Sequence, residues 1–126
     1  MRCLIIATPS ALNEGRAHSI IQAIESRELK IVGLKAELLD ICGIEKKAKN
    51  EKDPDKKSAF EAQLKVPCIL IAVEGASAIS AGKEIQKEFG DFVHSSSSQE
   101  IAAYEITRFF KKEEIFLHEK IKQWVE

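Results

Sequence analysis

Nothing in these 126 residues approaches the run of about 20 apolar residues that a membrane-spanning helix needs. The opening MRCLIIAT begins as a secretory leader would, but its apolar stretch is too short, and Pro9 and polar residues follow it. No CxxC or CxxH pair occurs, so no metal site of that spacing is expected; the cysteines are Cys3, Cys42 and Cys68, and their odd number argues against a disulfide framework. Neither sign of charge dominates. Nineteen basic and twenty acidic side chains leave a formal charge of −1, so nothing global draws the chain to nucleic acid or to an anionic membrane. No segment repeats. Together these absences point to a soluble protein of a reducing, cytoplasmic compartment, in which any anion site must be local.

What is present is a 44 % apolar chain of common single-domain length, able to bury one core. RCLIIA (2–7) has the length and near-continuous apolarity of a strand buried on both faces, and the Thr8-Pro9-Ser10 turn signal stops it. Ala17, Ile20, Ile21 and Ile24 recur at helical spacing, with Asn13 as the expected cap and Arg27 near the end. LKIVGLKAEL (29–38) reads as a second strand from its β-branched content. Between Glu45 and Lys57, six lysines and four acids leave almost nothing to bury, which suits a solvated loop or helix face. AFEAQL (59–64) suits a short helix, and VPCILIAVEG (66–75) is the strongest apolar strand. Helix spacing continues through AISAGKEIQKEF (78–89), weakened by Gly82. DFVH (91–94) is a brief fourth strand. A stripe of Ala102, Ile106, Phe109 and Phe110 marks a last helix, and EEIFLHEKIKQWVE reads as one or two closing turns around Trp124. The alternation predicts an α/β sandwich with helices on one face or both and leaves strand order open.

The chemistry-bearing stretch is GDFVHSSSSQEIAAYEI (90–106). Ser97 precedes Glu100 by three residues, the spacing of a capping box, so a helix is expected to start just after His94 and to turn its free N–H groups toward the imidazole. Glu105, two turns in, could lean toward the strand end. A carboxylate on one ring nitrogen would fix the tautomer and make the other a better nucleophile. A histidine at a strand end beside serines is, on its own, more often a hydrogen-bonded structural residue. His18 and His118 have that explanation and no comparable neighbourhood.

Three segments resemble the nucleoside diphosphate kinase family. RCLIIATPSAL through IIQAIESRELKIVGLKAELL is similar to the family's first strand, first helix and second strand, and VPCILIAVEGASAISAGKEI to its third strand with a Glu-Gly turn. HSSSSQEIAAYEITRFFKKEEI resembles the active-site signature: His-Gly-Ser-Asp-Ser, a Glu two residues on, then Ala and Glu-Ile before an aromatic pair and a Glu-Glu turn. The resemblance implies a ferredoxin-like fold, a four-stranded antiparallel sheet packed with helices. It implies that His94 carries a phosphoryl group from a nucleoside triphosphate to a diphosphate, that Ser96 and Glu105 orient it, and that Mg2+ arrives on the nucleotide.

Departures fall in the substrate clamp. The family's Lys-Pro-Asp-Gly turn is Thr8, Pro9, Ser10 and Ala11 here, and its helix arginine is Lys83, which keeps the charge but not the bidentate fork. Phe60 is the candidate for the base-stacking phenylalanine. The long loop before the histidine, with its threonine, arginine and asparagine, is reduced to KEFGDFV. Lys83 and the helix terminus at 97–100 are left to hold phosphate. Each lost preorganised donor can cost roughly 3 kcal/mol of transition-state stabilisation, so much impaired turnover is expected. The alternative is a degenerate scaffold serving as a binding module in a larger protein or ribonucleoprotein assembly. Docking of the lysine-rich stretch on RNA is a weaker third reading. Without the loop, a dimer or monomer is expected rather than a hexamer.

Overall fold

The computed structural model describes residues 1–39, 44–63 and 65–116. Its order is β1 (Arg2–Ala7), α1 (Pro9–Asn13), α2 (Ala17–Ser26), β2 (Lys30–Glu37), α3 (Ile44–Asn50), α4 (Pro54–Gln63), β3 (Cys68–Glu74), α5 (Ala78–Phe89), β4 (Val93–Ser95) and α6 (Gln99–Phe109). The strands form one sheet in the order β2-β3-β1-β4, every neighbouring pair antiparallel. This is the ferredoxin-like arrangement, and it supplies the strand order that periodicity left open.

β1 is central because almost every side chain in it is apolar and both of its faces are covered. Cys3, Ile5 and Ala7 meet Ile20 and Ile24 of α2 and Ala78, Ala81 and Ile85 of α5. Leu4 and Ile6 face the other way, toward Ile106 and Phe110. Helices therefore lie on both faces. Burial of each such aliphatic side chain is worth about 1.5–3 kcal/mol, so the two layers hold the strand from which the site is built.

Three local expectations change. Asn13 does not cap α2: Thr8 caps a separate helix α1, its Oγ1 accepting from Ala11 N at 3.4 Å with Pro9 opening the first turn, and Arg16 precedes α2 without a side-chain cap. Threonine followed by proline is itself a helix-start signal, which the reading of a simple turn passed over. The fourth strand begins at Val93, because Gly90 (φ 59°) ends α5 and Gly90–Phe92 form a 3-10 turn. The lysine-rich stretch, expected as a solvated loop or helix face, is both: residues 51–53 link α3 to α4, with Pro54 as the first residue of α4 and the Asp53 carboxylate accepting from Asp55 N at 3.0 Å. The short helix expected at 59–64 is the end of α4.

Gly82 has a packing reason. A Cβ there would lie 2.9 Å from Cys3 Sγ and 3.3 Å from Ser95 Cβ, so glycine lets α5 approach the sheet. Beyond α6 the chain returns to β2, where Phe116 N donates to Val32 O at 2.7 Å and Lys35 Nζ pairs with Glu114 at 3.1 Å. Burial works against the Lys35 ammonium, but its hydrogen bonds to Glu114 and Glu37 outweigh that and raise its pKa above the ordinary lysine value. Cys42, His118 and the closing turns around Trp124 lie outside the described residues.

Candidate active site at the β4–α6 junction

β4 pairs with β1 so that His94 stands opposite Ile6 and Ser95 opposite Ile5. Cross-strand partners share a face of the sheet. His94 therefore emerges on the α6 side, and Ser95 points to the α5 side, where its N and Oγ both meet Gln86 Oε1, at 3.2 and 3.0 Å. The chain leaves the sheet at Ser96, whose N–H still bonds Leu4 O at 3.0 Å.

Ser96 is fully buried. Its Oγ accepts from Leu4 N at 3.0 Å and donates to Glu105 Oε1 at 2.9 Å. The other oxygen, Oε2, lies 3.8 Å from His94 Nε2, an ion-pair distance rather than a hydrogen bond. The His94 side chain is half exposed, and Glu105 retains only 18 % exposure. A fixed backbone amide thus orients a serine, the serine a carboxylate, and the carboxylate one nitrogen of a solvent-reaching imidazole. Nε2 is thus the ring nitrogen that faces Glu105.

α6 starts later than the capping box suggested. Ser98, not Ser97, is the cap, its Oγ accepting from Ile101 N at 3.2 Å, and Gln99 is the first helical residue. Within α6, Ile101, Tyr104, Glu105 and Arg108 share one helical face, at the spacing i, i+3, i+4 and i+7. That face walls a cleft of about 600 Å³ whose floor includes Ile6 and His94. Leu39 and Phe109 complete its lining among the described residues.

His94, Ser96 and Glu105 are thus brought together. Lys83 is not with them. The apolar side of α5, Ala78, Ala81 and Ile85, faces the opposite layer of the sheet, and Lys83 lines a separate cleft of about 430 Å³ with Gln86, Lys87 and Asp91. Phe60 belongs to α4, but its side chain lies outside what is described. Thr8, standing where the resemblance expects a lysine, is 5 % exposed and held by the carbonyls of Asp91 and Phe92. Tyr104 and Arg108, which also line the cleft, were not singled out from the sequence, although the i, i+3, i+4 and i+7 spacing from Ile101 groups them with Glu105.

Among the described residues no cluster of three or more His, Cys, Asp or Glu side chains could hold a metal ion. None of the described helices is long and apolar enough to cross a membrane. The Cys3 thiol, beneath the site, has its pKa pushed up, chiefly by burial.

No protein-family model matches the chain. It is 33 % identical to a nucleoside diphosphate kinase of Pyrococcus abyssi over 146 aligned positions, covering 98 % of this chain and 92 % of that protein. A nucleoside diphosphate kinase of Thermococcus kodakarensis is 32 % identical, with 98 % and 84 % covered. An alignment of 146 positions against 126 residues means that these relatives carry residues absent here. Among solved structures, a nucleoside diphosphate kinase family protein of Babesia bovis superposes with a TM-score of 0.68 at 24 % identity, covering 92 % of each chain.

Proposed function

Since the chain belongs to the nucleoside diphosphate kinase family, we propose that it moves the terminal phosphoryl group of a nucleoside triphosphate to a nucleoside diphosphate through His94, at a much reduced rate. The observation that carries this reading is the Ser96–Glu105–His94 chain at the edge of an open cleft.

With its proton on Nε2, facing Glu105, His94 presents the Nδ1 lone pair to the γ-phosphorus. The N–P bond forms as the bond to the β-phosphate oxygen breaks, and the diphosphate leaves with that electron pair. The imidazole becomes cationic at this step, and Glu105, held by Ser96, balances the new charge. In the second half an oxygen of the acceptor diphosphate attacks the same phosphorus, and the N–P bond breaks. Mg2+ belongs to the substrate here, entering and leaving on the nucleotide. Among the described residues, Glu105 is the one carboxylate within ion-pair distance of His94, and it is already bonded to Ser96.

Reduced turnover is inferred from what surrounds His94. Thr8 is committed to capping α1, Lys83 faces another cleft, and only a three-residue turn, Gly90–Phe92, joins α5 to β4. Incubation with γ-phosphate-labelled nucleotide and magnesium tests the reading. An acid-labile label lost in His94→Ala is the expected result; no label, or one that survives the substitution, refutes it.

The same losses favour a second reading, a scaffold that acts as a binding module in a larger protein or ribonucleoprotein assembly. Under it, the protein leaves native extract with a stable partner and shows no turnover.

A further inference from the structure

Resting on the phosphotransfer reading, we propose that Arg108 is the positioning residue that holds the substrate's phosphate chain against His94. Among the described lining residues of the cleft it is the one permanent cation. Arg108 stands three residues after Glu105 on the same face of α6, about one turn along the helix. A chain of phosphates reaching Nδ1 of His94 brings several negative charges beside Glu105. Mg2+ on the nucleotide offsets part of that charge, and a cation in the cleft offsets more of the repulsion from Glu105.

The guanidinium is oriented but unspent. Its carbon lies 5.3 Å from the centre of the Phe109 ring, a contact that favours this placement without using its N–H donors. Arg2 is paired with Glu74, and Arg27 with Glu84 and Glu88, whereas no described carboxylate lies within ion-pair distance of Arg108. Glu105, the nearest acid along the helix, is turned toward Ser96 and His94. A planar fork of donors lining the same cleft as His94 matches two oxygens of a phosphate chain, which a lysine cannot do. The competing role is purely local, because a cation in the last turn of α6 also complements the helix dipole.

Three measurements separate these roles. The first is the rate of phospho-His94 formation against MgATP concentration, for the wild type, Arg108→Gln and Arg108→Lys. The second is MgADP binding by calorimetry. The third is labelling of His94 by phosphoramidate, a small phosphodonor without a nucleotide. Loss of the fork should raise half-saturating MgATP and the MgADP dissociation constant by about 10- to 100-fold, with partial recovery in Arg108→Lys. Phosphoramidate labelling should change far less. Half-saturation unchanged in Arg108→Gln, or no MgADP binding by the wild type, overturns the assignment of Arg108. If neither donor labels His94 in the wild type, the phosphotransfer reading itself fails. A shift in melting temperature alone assigns Arg108 to the helix end and rejects the proposal.

Discussion

Ser96 and Glu105, nine residues apart, are joined by a 2.9 Å hydrogen bond that turns a carboxylate from the middle of α6 toward a histidine on the edge strand β4. Because Ser96 Oγ also accepts from Leu4 N at 3.0 Å, the bond is anchored in the central strand. Replacing Ser96 with alanine frees the carboxylate and leaves a buried amide unsatisfied. The expected cost is about 1–3 kcal/mol of stability by urea unfolding, together with slower phosphorylation of His94. Unchanged stability would show that water takes the place of the hydroxyl.

Gly82→Ala sets helix propensity against packing. Alanine gains about 1 kcal/mol in an isolated helix. Here its Cβ meets Cys3 Sγ at 2.9 Å, and overpacking of this kind costs about 1–3 kcal/mol. Net destabilisation is expected, read as a lower melting temperature. A stabilised variant would mean that α5 does not lie as close to the sheet as described.

Much of this architecture is legible in the residues. β1 and β3 announce themselves by apolar runs, because strands buried on both faces have no polar side to show, and α5 spans the same Ala78–Phe89 that its spacing predicts. Strand order is not local information. It depends on which apolar faces meet, and the family resemblance supplied it first. The cap of α6 was misplaced by one residue because four consecutive serines offer the same hydroxyl in every register. Only the folded chain shows that Ser95 and Ser96 are spent on Gln86, Leu4 and Glu105, and that of the remaining two serines it is Ser98 that caps. Arg108 carries no such local signal. The apolar stripe of α6, Ala102, Ile106 and Phe110, marks its buried face, and the cleft lies along the face beside it.

Cys3 carries a pH dependence whose sign is fixed by burial. Its folded pKa lies above that of an unfolded thiol, roughly 8.5, so the folded state holds the proton more tightly. The resulting stability is fully present below the unfolded value and is lost as pH rises through the folded one. Denaturation of the wild type should therefore steepen with pH above about 8.5 relative to Cys3→Ala. Parallel pH profiles would contradict this. Cys3 and Cys68, both buried, should also resist alkylation until the protein unfolds.

Glu105→Gln keeps the shape of the site and removes its charge. The imidazolium formed on phosphorylation would lose its counter-charge, and labelling of His94 from MgATP should slow by about 100-fold or more, with the melting temperature nearly unchanged. A variant that labels at the wild-type rate would reduce Glu105 to a packing residue.

The most direct measurement is the identity of the phosphorylated nitrogen, read by phosphorus–nitrogen correlation NMR after incubation with MgATP. Glu105 faces Nε2 at 3.8 Å, so the phosphoryl group is predicted on Nδ1 of His94. A phosphoryl group on Nε2, on another residue or on none would contradict the account.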